Sequence, residues 1–531
     1  MGGTKSHKIP FWELARGLIP RGHNITFISA FPSDFLMAGL EEITPTSFVF
    51  YVKNFTNWDL VGAKIRGEEP VHPFDMVRYA YEACDVLLSD PETKDLLYSQ
   101  QNFDLLVLDG AYPECALGFV SHYNVPFMYI NTVGFYTGSL SLAGNPAPYS
   151  VTPFLARPFT DSMSLMQRTM NTLWHIFANT LHSFMVKNLV QPVVRKHFGY
   201  DVPLVYDISR NVSFILQNAH ATVTYPRPYL PNVAEIACIH CKKAKALPDD
   251  LEDFIKGSGD AGFIYFSMGS SVKAANMPEY LRRMLMRVFR QLPQRVLWKY
   301  EADEEMADVP TNVKLGRWLP QQDILGHPKI RAFVTHGGLL SMFETVYHGV
   351  PVVSLPVFCD HDSNAAKAEI DGYALKLDLS TITAESLLWA IKKVIHDPKY
   401  KEDVKRRQVL LRDQKETPLE RAVYWTEYVL RHKGATHLQS PAKNMGIIQY
   451  YVLDVAFIIF CSTFLIWPGC IKRCQVVVKV NIMSTDLIGG YLTFYLNQPI
   501  KWADFRLNAL LADTMLTKLY TTKPLGQFIE R

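Results

Sequence analysis

At 531 residues the chain is long enough for two or three globular domains. Its hydrophobic content of 48% and formal net charge of +3 are typical of a globular protein and exclude a polybasic protein that binds nucleic acid. The eight cysteines show no regular spacing, so they predict neither a disulfide framework nor a zinc module. Cys238-Ile-His-Cys241 does not begin a helix, as reactive cysteine pairs usually do, and is interpreted as structurally incidental.

The N-terminal region has the pattern of a doubly wound α/β fold. Residues 1–7 contain no apolar core segment and therefore no secretory signal. Residues 8–21 have the spacing of an amphipathic helix, and residues 25–30 have that of a strand. A further helix is predicted over residues 73–99, with an interruption at Pro91.

A buried strand is predicted over residues 105–108, and Asp109 follows it. A carboxylate at the C-terminal end of a parallel strand faces the ligand crevice of an open sheet, so Asp109 is a candidate site residue. The alternative is a turn aspartate that caps the next helix near Glu114. Residues 131–200 are rich in aromatic residues and methionine, which fits either an apolar ligand pocket or an ordinary core.

Residues 241–262 have the composition of an inter-domain linker, with charges, a proline and glycines. They contain a formal G-x-G-x-x-G over residues 257–262. This motif binds dinucleotides only when it follows a strand, and here it precedes the strand predicted over residues 263–266. It is therefore rejected as a nucleotide motif.

The most informative stretch covers residues 318–361. An apolar strand over 331–335 leads into a histidine and two glycines, a helix follows over 341–348, and a second apolar strand covers 351–356. Strand, glycine turn, helix and strand make a βαβ unit. The loops of such a unit lie at the carboxyl ends of the strands, where open α/β sheets bind ligands.

The start of the helix in this unit has two interpretations. His336-Gly337-Gly338 suits an anion, because free backbone N–H groups at a helix start point towards it. Ser341 and Glu344 fit a Ser-x-x-Glu capping box, which alone would explain both residues.

The C-terminal region contains one segment long enough to span a membrane. Residues 447–467 are 21 mostly apolar residues with one acid, Asp454, and would form a helix of roughly 30 Å. A buried core helix is the alternative, and a membrane helix would have to turn Asp454 towards protein or the interface. Residues 468–531 have no assigned structure. Three Asn-x-Ser/Thr sequons precede the segment, as lumenal exposure requires: Asn24, Asn54 and Asn211.

These motifs resemble the UDP-glycosyltransferases, especially the animal UDP-glucuronosyltransferases, with an invertebrate-like pattern. Segments 103–109 and Ser6-His7 resemble the family's catalytic segments, and the resemblance covers about residues 5–473. The donor-binding signature is matched by Arg317-Trp-Leu-Pro-Gln321, Thr335-His-Gly-Gly338, Glu344 and His348-Gly-Val-Pro351.

The resemblance implies a GT-B fold, in which two Rossmann-like doubly wound α/β domains face a cleft and one transmembrane helix follows. Family members carry a signal and a first strand before the catalytic histidine, so an earlier start is expected. The implied setting is a single-pass membrane protein of the endoplasmic reticulum with lumenal domains. The implied divisions are an acceptor-binding domain (1–240), a linker (241–262), a donor-binding domain (263–416), a crossing helix and stalk (417–446), a transmembrane helix (447–467) and a tail (468–531).

The resemblance also assigns roles to individual residues. His7 would be the catalytic base and Asp109 its partner. The donor-site roles would be uracil stacking by Trp318 beside Gln321, diphosphate contact by His336 and ribose binding by Glu344. The remaining donor-site residues are Ser267, Gly269 and Ser270 in the first loop, Gly338 and Ser341 in the second, and Asp360 and His361 facing the sugar.

The implied reaction is an inverting, metal-independent transfer of a hexosyl group from a UDP-sugar to a hydroxyl of a small lipophilic acceptor. The UDP-sugar is a co-substrate, so no cofactor is expected. Asp360-His361-Asp362 spells the metal motif D-x-D of another glycosyltransferase fold, but the resemblance gives Asp360 and His361 to the sugar. UDP-glucose is favoured, with UDP-glucuronate and UDP-galactose open, and a homo-oligomer is compatible. The alternative is a catalytically silent membrane protein that binds lipophilic ligands on the same scaffold.

Overall fold

Every strand pair in the described part of the chain is parallel, as alternating strands and helices predict. The structure is a computed structural model and describes residues 4–463 apart from 34–36, 112, 134–137, 155–156, 158, 303–305 and 307. The chain divides into a compact unit, Met1–Met445, and a second unit, Gly446–Arg531. The predicted tail over 468–531 lies outside the described residues.

The first half of the larger unit alternates helices with short strands. The predicted interruption at Pro91 is confirmed, and Asp90 caps the second helix there by accepting the Glu92 N–H at 3.0 Å. The first helix begins earlier than predicted, so that His7 lies in its first turn. In chain order the elements are α1 (Lys5–Leu18), β1 (Ile25–Ile28), β2 (Leu40–Ile43), α2 (Thr46–Phe55), α3 (Leu60–Ile65), α4 (Pro73–Ser89), α5 (Pro91–Tyr98), β3 (Leu106–Asp109), α6 (Leu117–Tyr123), β4 (Phe127–Asn131), α7 (Gly138–Leu142), α8 (Leu165–Met185), α9 (Gln191–Phe198), α10 (Val205–Ser209), β5 (Phe214–Gln217) and β6 (Val233–Glu235).

The strands of this half form two sheets. β3, β4, β5 and β6 make a four-stranded sheet in that order, and β1 pairs with β2 separately. Every residue of β4 and β5 is buried, which explains their apolar sequences, since a parallel sheet is covered on both faces. Asp109 and Asn131 end β3 and β4 at the same edge of the sheet. This edge carries the first part of the candidate site.

The second half begins after the linker and contains a larger sheet. The strands predicted over 263–266, 331–335 and 351–356 are confirmed, with boundaries that move by one or two residues. The elements are α11 (Asp249–Lys256), β7 (Phe263–Ser267), α12 (Glu279–Arg290), β8 (Arg295–Lys299), β9 (Val313–Gly316), α13 (Gln321–Leu325), β10 (Ile330–Thr335), α14 (Leu339–His348), β11 (Val352–Ser354), α15 (His361–Ile370), β12 (Ala374–Lys376), α16 (Ala384–His396), α17 (Pro398–Arg412) and α18 (Pro418–Arg431).

The strand order of this sheet fixes where a ligand crevice opens. The order is β12-β11-β10-β7-β8-β9, so the first strand of the half lies beside the fourth. The chain winds away from this pair in opposite directions, which makes it a topological switch point. In open α/β sheets the ligand binds outside the carboxyl ends of the strands at such a point. The loops after β7 and β10 are therefore the expected ligand loops.

Helix α18 returns from the second half to the first. Its Glu427 carboxylate accepts two hydrogen bonds from the Arg21 guanidinium, at 2.6 and 2.8 Å. Its Trp425 ring stacks on Phe214 of β5, with ring centroids 4.5 Å apart. Helix α18 therefore packs against residues of the first half. The chain passes between the halves twice, once between β6 and α11 and once between α17 and α18.

Two disulfides correct the interpretation of the cysteines. Cys84 is bonded to Cys115, and Cys238 to Cys241. Cys84 and Cys115 are buried in the core of the first half and meet through tertiary packing, which no spacing rule reveals. The short pair is closed by a turn in which Cys241 N–H donates to the Cys238 carbonyl oxygen at 2.9 Å. The prediction of no disulfide framework and the interpretation of Cys238 and Cys241 as incidental are therefore both wrong.

The second unit begins with the short helix α19 (Ile447–Tyr450), and residues 453–463 are helical after a turn at Tyr451 and Val452. Among the described residues, none of the helices has the length and apolar character needed to cross a membrane. The last four residues of the predicted 447–467 segment lie outside the described part of the chain. The transmembrane helix stays a prediction.

Candidate active site

The first turn of α1 places His7 beside the end of β3. The His7 Nδ1 atom lies 2.8 Å from Asp109 Oδ2, although the two residues are 102 positions apart. Thr132 Oγ1 lies 2.8 Å from the same nitrogen and donates to Asp109 Oδ1 at 3.2 Å. The two sequence-predicted residues are thus brought together. Thr132 was not predicted, because a lone threonine after a strand carries no motif.

The surroundings of Asp109 favour its ionised form. Burial acts to raise the pKa of Asp109, but the charge of His7, its hydrogen bond and the Ala111 amide outweigh burial and hold that pKa below its usual range. An ionised carboxylate at Nδ1 fixes the tautomer of His7, which makes Nε2 the basic nitrogen. The alternative of a helix cap is wrong, since the next helix begins at Leu117 with Ala116 at its N-cap position.

Two glycines enclose the ring of His336, which follows β10. A Cβ atom on Gly269 would lie 2.4 Å from His336 Cε1, and one on Gly338 would lie 2.5 Å from Nε2. Gly269 also has a φ of +77°, which disfavours any other residue. Thr335 Oγ1 lies 3.1 Å from the His336 Nδ1 atom. The loops after β7 and β10 therefore meet around this buried imidazole.

His336 is held in its neutral form. Burial is the main cause that lowers its pKa well below the usual value, and the charges of His361 and Lys299 act in the same direction. The rings of His336 and His361 meet edge to face, with centroids 4.4 Å apart. Burial also lowers the pKa of His361. Both imidazoles therefore offer one N–H donor and one acceptor near neutral pH.

Lys299 supplies a positive charge at this point of the site. It ends β8, is buried, and donates from Nζ to the carbonyl oxygen of Gly269 at 2.6 Å. The same Nζ pairs with Glu301 Oε1 at 2.9 Å. Lys299 was not predicted, because it belongs to no motif, although its position at a strand end would have been a signal.

The carboxylates of the D-x-D segment face different partners. Asp360 Oδ2 accepts from Asn364 Nδ2 at 2.8 Å. Asp362 pairs with Lys64 at 3.0 Å and with Lys376 at 2.9 Å, and Lys64 belongs to the first half. The Lys64–Asp362 pair therefore connects the two halves. Within the described part of the chain, groups of three or more His, Cys, Asp or Glu residues that could hold a metal ion do not occur.

Gln321, Ser341 and Glu344 form one polar cluster. The Gln321 Nε2 atom donates to Ser341 Oγ at 3.0 Å and to Glu344 Oε2 at 2.5 Å. The capping-box interpretation of Ser341 and Glu344 is wrong, because α14 already begins at Leu339 behind Gly338. Ser341 and Glu344 both lie within the length of α14, and their side chains face α13 instead of capping the start of α14.

Trp318 stands on the loop between β9 and α13. Its side chain is 69% exposed, so most of the ring is available to a ligand. Lys5 Nζ lies 5.2 Å from a ring centroid of Trp318 and Lys299 Nζ lies 5.7 Å from one. These contacts place Trp318 next to the loops that surround His336.

A cavity of about 1350 Å³ joins the two parts of the site. Its wall includes His7 from the first half and, from the second, Gly269, Ser270, His336, Gly338, Ser341, Asp360 and His361. The other sequence-predicted residues lie off this wall: Asp109, Ser267, Trp318, Gln321 and Glu344. Asp109 stands behind His7, and Gln321 and Glu344 stand behind Ser341.

The first-half side of the cavity carries many apolar side chains beside charged ones such as Lys64, Glu69 and Arg157. Its wall includes aromatic and aliphatic side chains from the 131–200 region, among them Phe154, Trp174, Phe177 and Met185. The pocket interpretation of that region is therefore supported for these residues. Polar pairs also line this side: His182 Nε2 is 2.5 Å from Glu114 Oε1, and Arg157 lies 3.9 Å from Glu69 Oε1.

Comparison with known proteins gives a family for this arrangement. The family model described as UDP-glucoronosyl and UDP-glucosyl transferase matches residues 32–484. The chain is 35% identical over 467 residues to UDP-glycosyltransferase UGT5 of Dactylopius coccus, covering 86% of this chain and 87% of that one. UDP-glucosyltransferase 2 of the same insect is 32% identical over 464 residues, with 86% and 89% covered. Human UDP-glucuronosyltransferase 2B17 is 33% identical over 481 residues, with 87% and 89% covered.

Solved structures share the fold at low sequence identity. The calicheamicin glycosyltransferase CalG4 has a TM-score of 0.54 at 17% identity, over 80% of this chain and 95% of that one. The spinosyn forosaminyltransferase SpnP has a TM-score of 0.53 at 15% identity, over 81% and 97%. These likenesses concern the fold alone. They show that the chain shares the GT-B fold.

Proposed function

We propose a reaction for this chain, which belongs to the UDP-glucuronosyl and UDP-glucosyl transferase family and is therefore a glycosyltransferase. The chain transfers a hexosyl group from a UDP-sugar to a hydroxyl of a small lipophilic acceptor, with inversion at the anomeric carbon. The observation that carries the proposal is the His7–Asp109 pair, whose histidine shares one cavity with the loops around His336.

His7 acts as the general base. Its Nε2 takes the proton of the acceptor hydroxyl while that oxygen forms a bond to the anomeric carbon of the sugar. Asp109 holds the imidazole through Nδ1 and stabilises its cation, and Thr132 Oγ1 supports both. The apolar wall with Phe154 and Trp174 receives the lipophilic body of the acceptor.

The second half binds the donor. Trp318 stacks on uracil, Gln321 lies beside it, and Glu344 holds the ribose hydroxyls. As the bond from the anomeric carbon to the diphosphate oxygen breaks, the electron pair leaves with UDP. The negative charge that develops there is stabilised by His336 and by the buried ammonium of Lys299 behind the Gly269 loop. This charge arrangement supports a transfer that uses neither a metal nor a cofactor.

UDP-glucose is the proposed donor. Asp360 and His361 form the wall near the sugar, and burial lowers the pKa of His361, so that this histidine carries no charge at neutral pH. The neutral imidazole of His361 and the carboxylate of Asp360 suit the neutral hydroxyls of glucose. The carboxylate of glucuronate would be repelled by Asp360 and would find no positive charge at His361. One insect relative is also named a UDP-glucosyltransferase.

The proposed setting is the lumenal side of the endoplasmic reticulum, with a single membrane anchor over residues 447–467. Two disulfides support an oxidising compartment. The three sequon residues Asn24, Asn54 and Asn211 are exposed in the structure, as glycosylation requires.

A donor panel tests this function. Full-length protein is incubated with UDP-glucose, UDP-galactose or UDP-glucuronate and a mixed library of phenols, and conjugates are identified by mass spectrometry. Glucosides are the expected products. Exclusive use of UDP-glucuronate would overturn the donor assignment, and binding of phenols without transfer from any donor would overturn the reaction.

A further inference from the structure

The Cys238–Cys241 loop lies beneath the donor side of the site, although it belongs to neither sheet. Cys238 packs with Met342, Phe343 and Val346 of α14 in one buried cluster. Cys238 has a φ of +65°, a conformation that non-glycine residues rarely adopt. The disulfide to Cys241 closes the loop around Ile239 and His240. Packing on α14 and the disulfide between its two ends therefore both hold the loop in place.

His240 is the residue that this loop presents to the site. It is only 2% exposed, and its Nε2 atom lies 3.4 Å from Glu344 Oε1. Neither ring nitrogen has a hydrogen-bond partner of good geometry. A buried imidazole without partners is costly, so its place beside a carboxylate needs an explanation.

Helix α13 holds the Cys238–Cys241 loop beside Glu344. Gln322 Nε2 donates to the carbonyl oxygen of His240 at 3.0 Å, and Gln322 Oε1 accepts from the Lys242 N–H at 2.7 Å. The adjacent Gln321 donates to Glu344 Oε2. The Glu344 carboxylate therefore lies between Gln321 at one oxygen and His240 at the other.

We propose that His240 is a positioning residue for Glu344 and that the Cys238–Cys241 disulfide keeps it in place. The proposal rests on the ribose-binding role given to Glu344 above. A carboxylate that has to accept from two adjacent hydroxyls must hold one rotamer, and contacts at both oxygens fix it. When the donor is bound, the 3.4 Å contact shortens into a hydrogen bond from Nε2, as site geometry tightens in complexes.

The disulfide acts by restricting the backbone of His240. A dithiol reductant converts the bond into two thiols and is itself oxidised to a disulfide, after which the loop is held by hydrogen bonds alone: the turn bond from Cys241 and the two bonds to Gln322. The buried ring of His240 then gains freedom to move away from Glu344. Weaker binding of the ribose follows, without any change at His7.

Binding of UDP to the full-length protein, measured by calorimetry, tests the role of His240. His240→Ala is expected to weaken UDP binding about tenfold, the usual effect of losing one hydrogen bond to a charged group. His240→Gln keeps an N–H donor at the position of Nε2 and is expected to restore affinity to within about threefold. Turnover at saturating UDP-sugar is expected to stay within about twofold of wild type.

A ligand without ribose hydroxyls separates positioning from general damage. For 2′,3′-dideoxyuridine diphosphate, His240→Ala and wild type are expected to bind equally well, because Glu344 has no hydroxyl to hold. An equal loss of affinity for UDP and for the dideoxy ligand would mean a merely structural role and would overturn the proposal. Unchanged UDP binding in His240→Ala would overturn it as well.

The second disulfide provides a matched control. Cys238→Ala/Cys241→Ala is expected to weaken UDP binding about three- to tenfold, whereas Cys84→Ala/Cys115→Ala removes a disulfide from the core of the first half and leaves UDP affinity unchanged. Equal effects of the two double variants would contradict the role of the short loop. If wild-type protein binds no UDP, the proposed function itself fails, which is a different result from UDP binding that ignores these changes.

Discussion

The Lys299 ammonium donates a hydrogen bond to the main-chain oxygen of Gly269 at 2.6 Å, and Gly269 in turn lies against the ring of His336. A strand-end side chain in the second sheet thus fixes the loop to which the proposed function assigns the donor diphosphate. The same contact brings a buried positive charge to the side of the loop away from the cavity. The Gly269 loop is therefore both shaped and charged by a residue that is not on the cavity wall.

Lys299→Met is expected to lower kcat/KM for the UDP-sugar about ten- to hundredfold, because it removes a charge-assisted hydrogen bond and the charge itself. Lys314→Met is the control: Lys314 also lies on a strand, donates to a carbonyl oxygen (that of Asp250, at 2.9 Å) and pairs with an acid, but it belongs to β9 and does not contact the loop. Steady-state kinetics measure both variants. Equal losses would show that Lys299 acts only through folding stability.

His7→Ala is expected to reduce turnover by about 10²–10⁴ and to leave UDP binding nearly unchanged, because a general base acts only on the acceptor proton. Asp109→Asn acts alike, and the double variant is little worse than either single one, since the two residues work as a unit. His396→Ala, on the exposed end of α16, serves as control. Full turnover by His7→Ala would refute the mechanism.

Gly269→Ala is expected to abolish most donor binding, because its Cβ atom would collide with His336 at 2.4 Å. Gly259→Ala separates this collision from backbone strain: Gly259 has a φ of +55° and open space around its Cβ position. Both variants lose about 1–2 kcal/mol of stability from the left-handed backbone. Only Gly269→Ala loses UDP affinity in calorimetry, and a similar loss in Gly259→Ala would contradict the packing argument.

His175 is expected to make the protein sensitive to acid. Burial lowers the pKa of His175 to about 4, although the hydrogen bond to the Thr152 carbonyl oxygen acts to raise it. At pH values between about 6.5, the ordinary pKa of histidine, and 4, the His175 side chain binds a proton in the unfolded chain but not in the folded chain. The contribution of His175 to stability is therefore complete above pH 6.5 and is lost as the pH falls towards 4, by up to about 1.4 kcal/mol per pH unit.

His175→Gln tests this contribution. Glutamine keeps an N–H donor for the Thr152 carbonyl oxygen but does not titrate, so the free energy of unfolding should fall less steeply between pH 6.5 and 4 than in wild type. Urea titrations at several pH values measure both proteins. Parallel pH dependence of the two would show that His175 is not the source of the acid sensitivity.

Local periodicity was enough to predict the strand–turn–helix unit around His336, because each element there is determined by its own residues. The His7–Asp109 pair required more, namely the resemblance and the rule that parallel strands end at one edge of a sheet. The partners Thr132 and His240 escaped prediction, since their contacts depend on how separate elements pack. Ser341 and Glu344 matched a capping box, but Gly338 starts the helix earlier, and a pattern cannot show where the helix begins.

The two crossings of the chain between the halves have a kinetic consequence. Two halves joined by two separate chain connections can turn about the axis that passes through both connections. The connections restrict other relative movements of the halves. The Lys64–Asp362 pair also joins the two halves, so widening of the cleft at this point has to break it. In the proposed reaction, opening of the cleft at this point to exchange acceptor and UDP therefore has to break this ion pair.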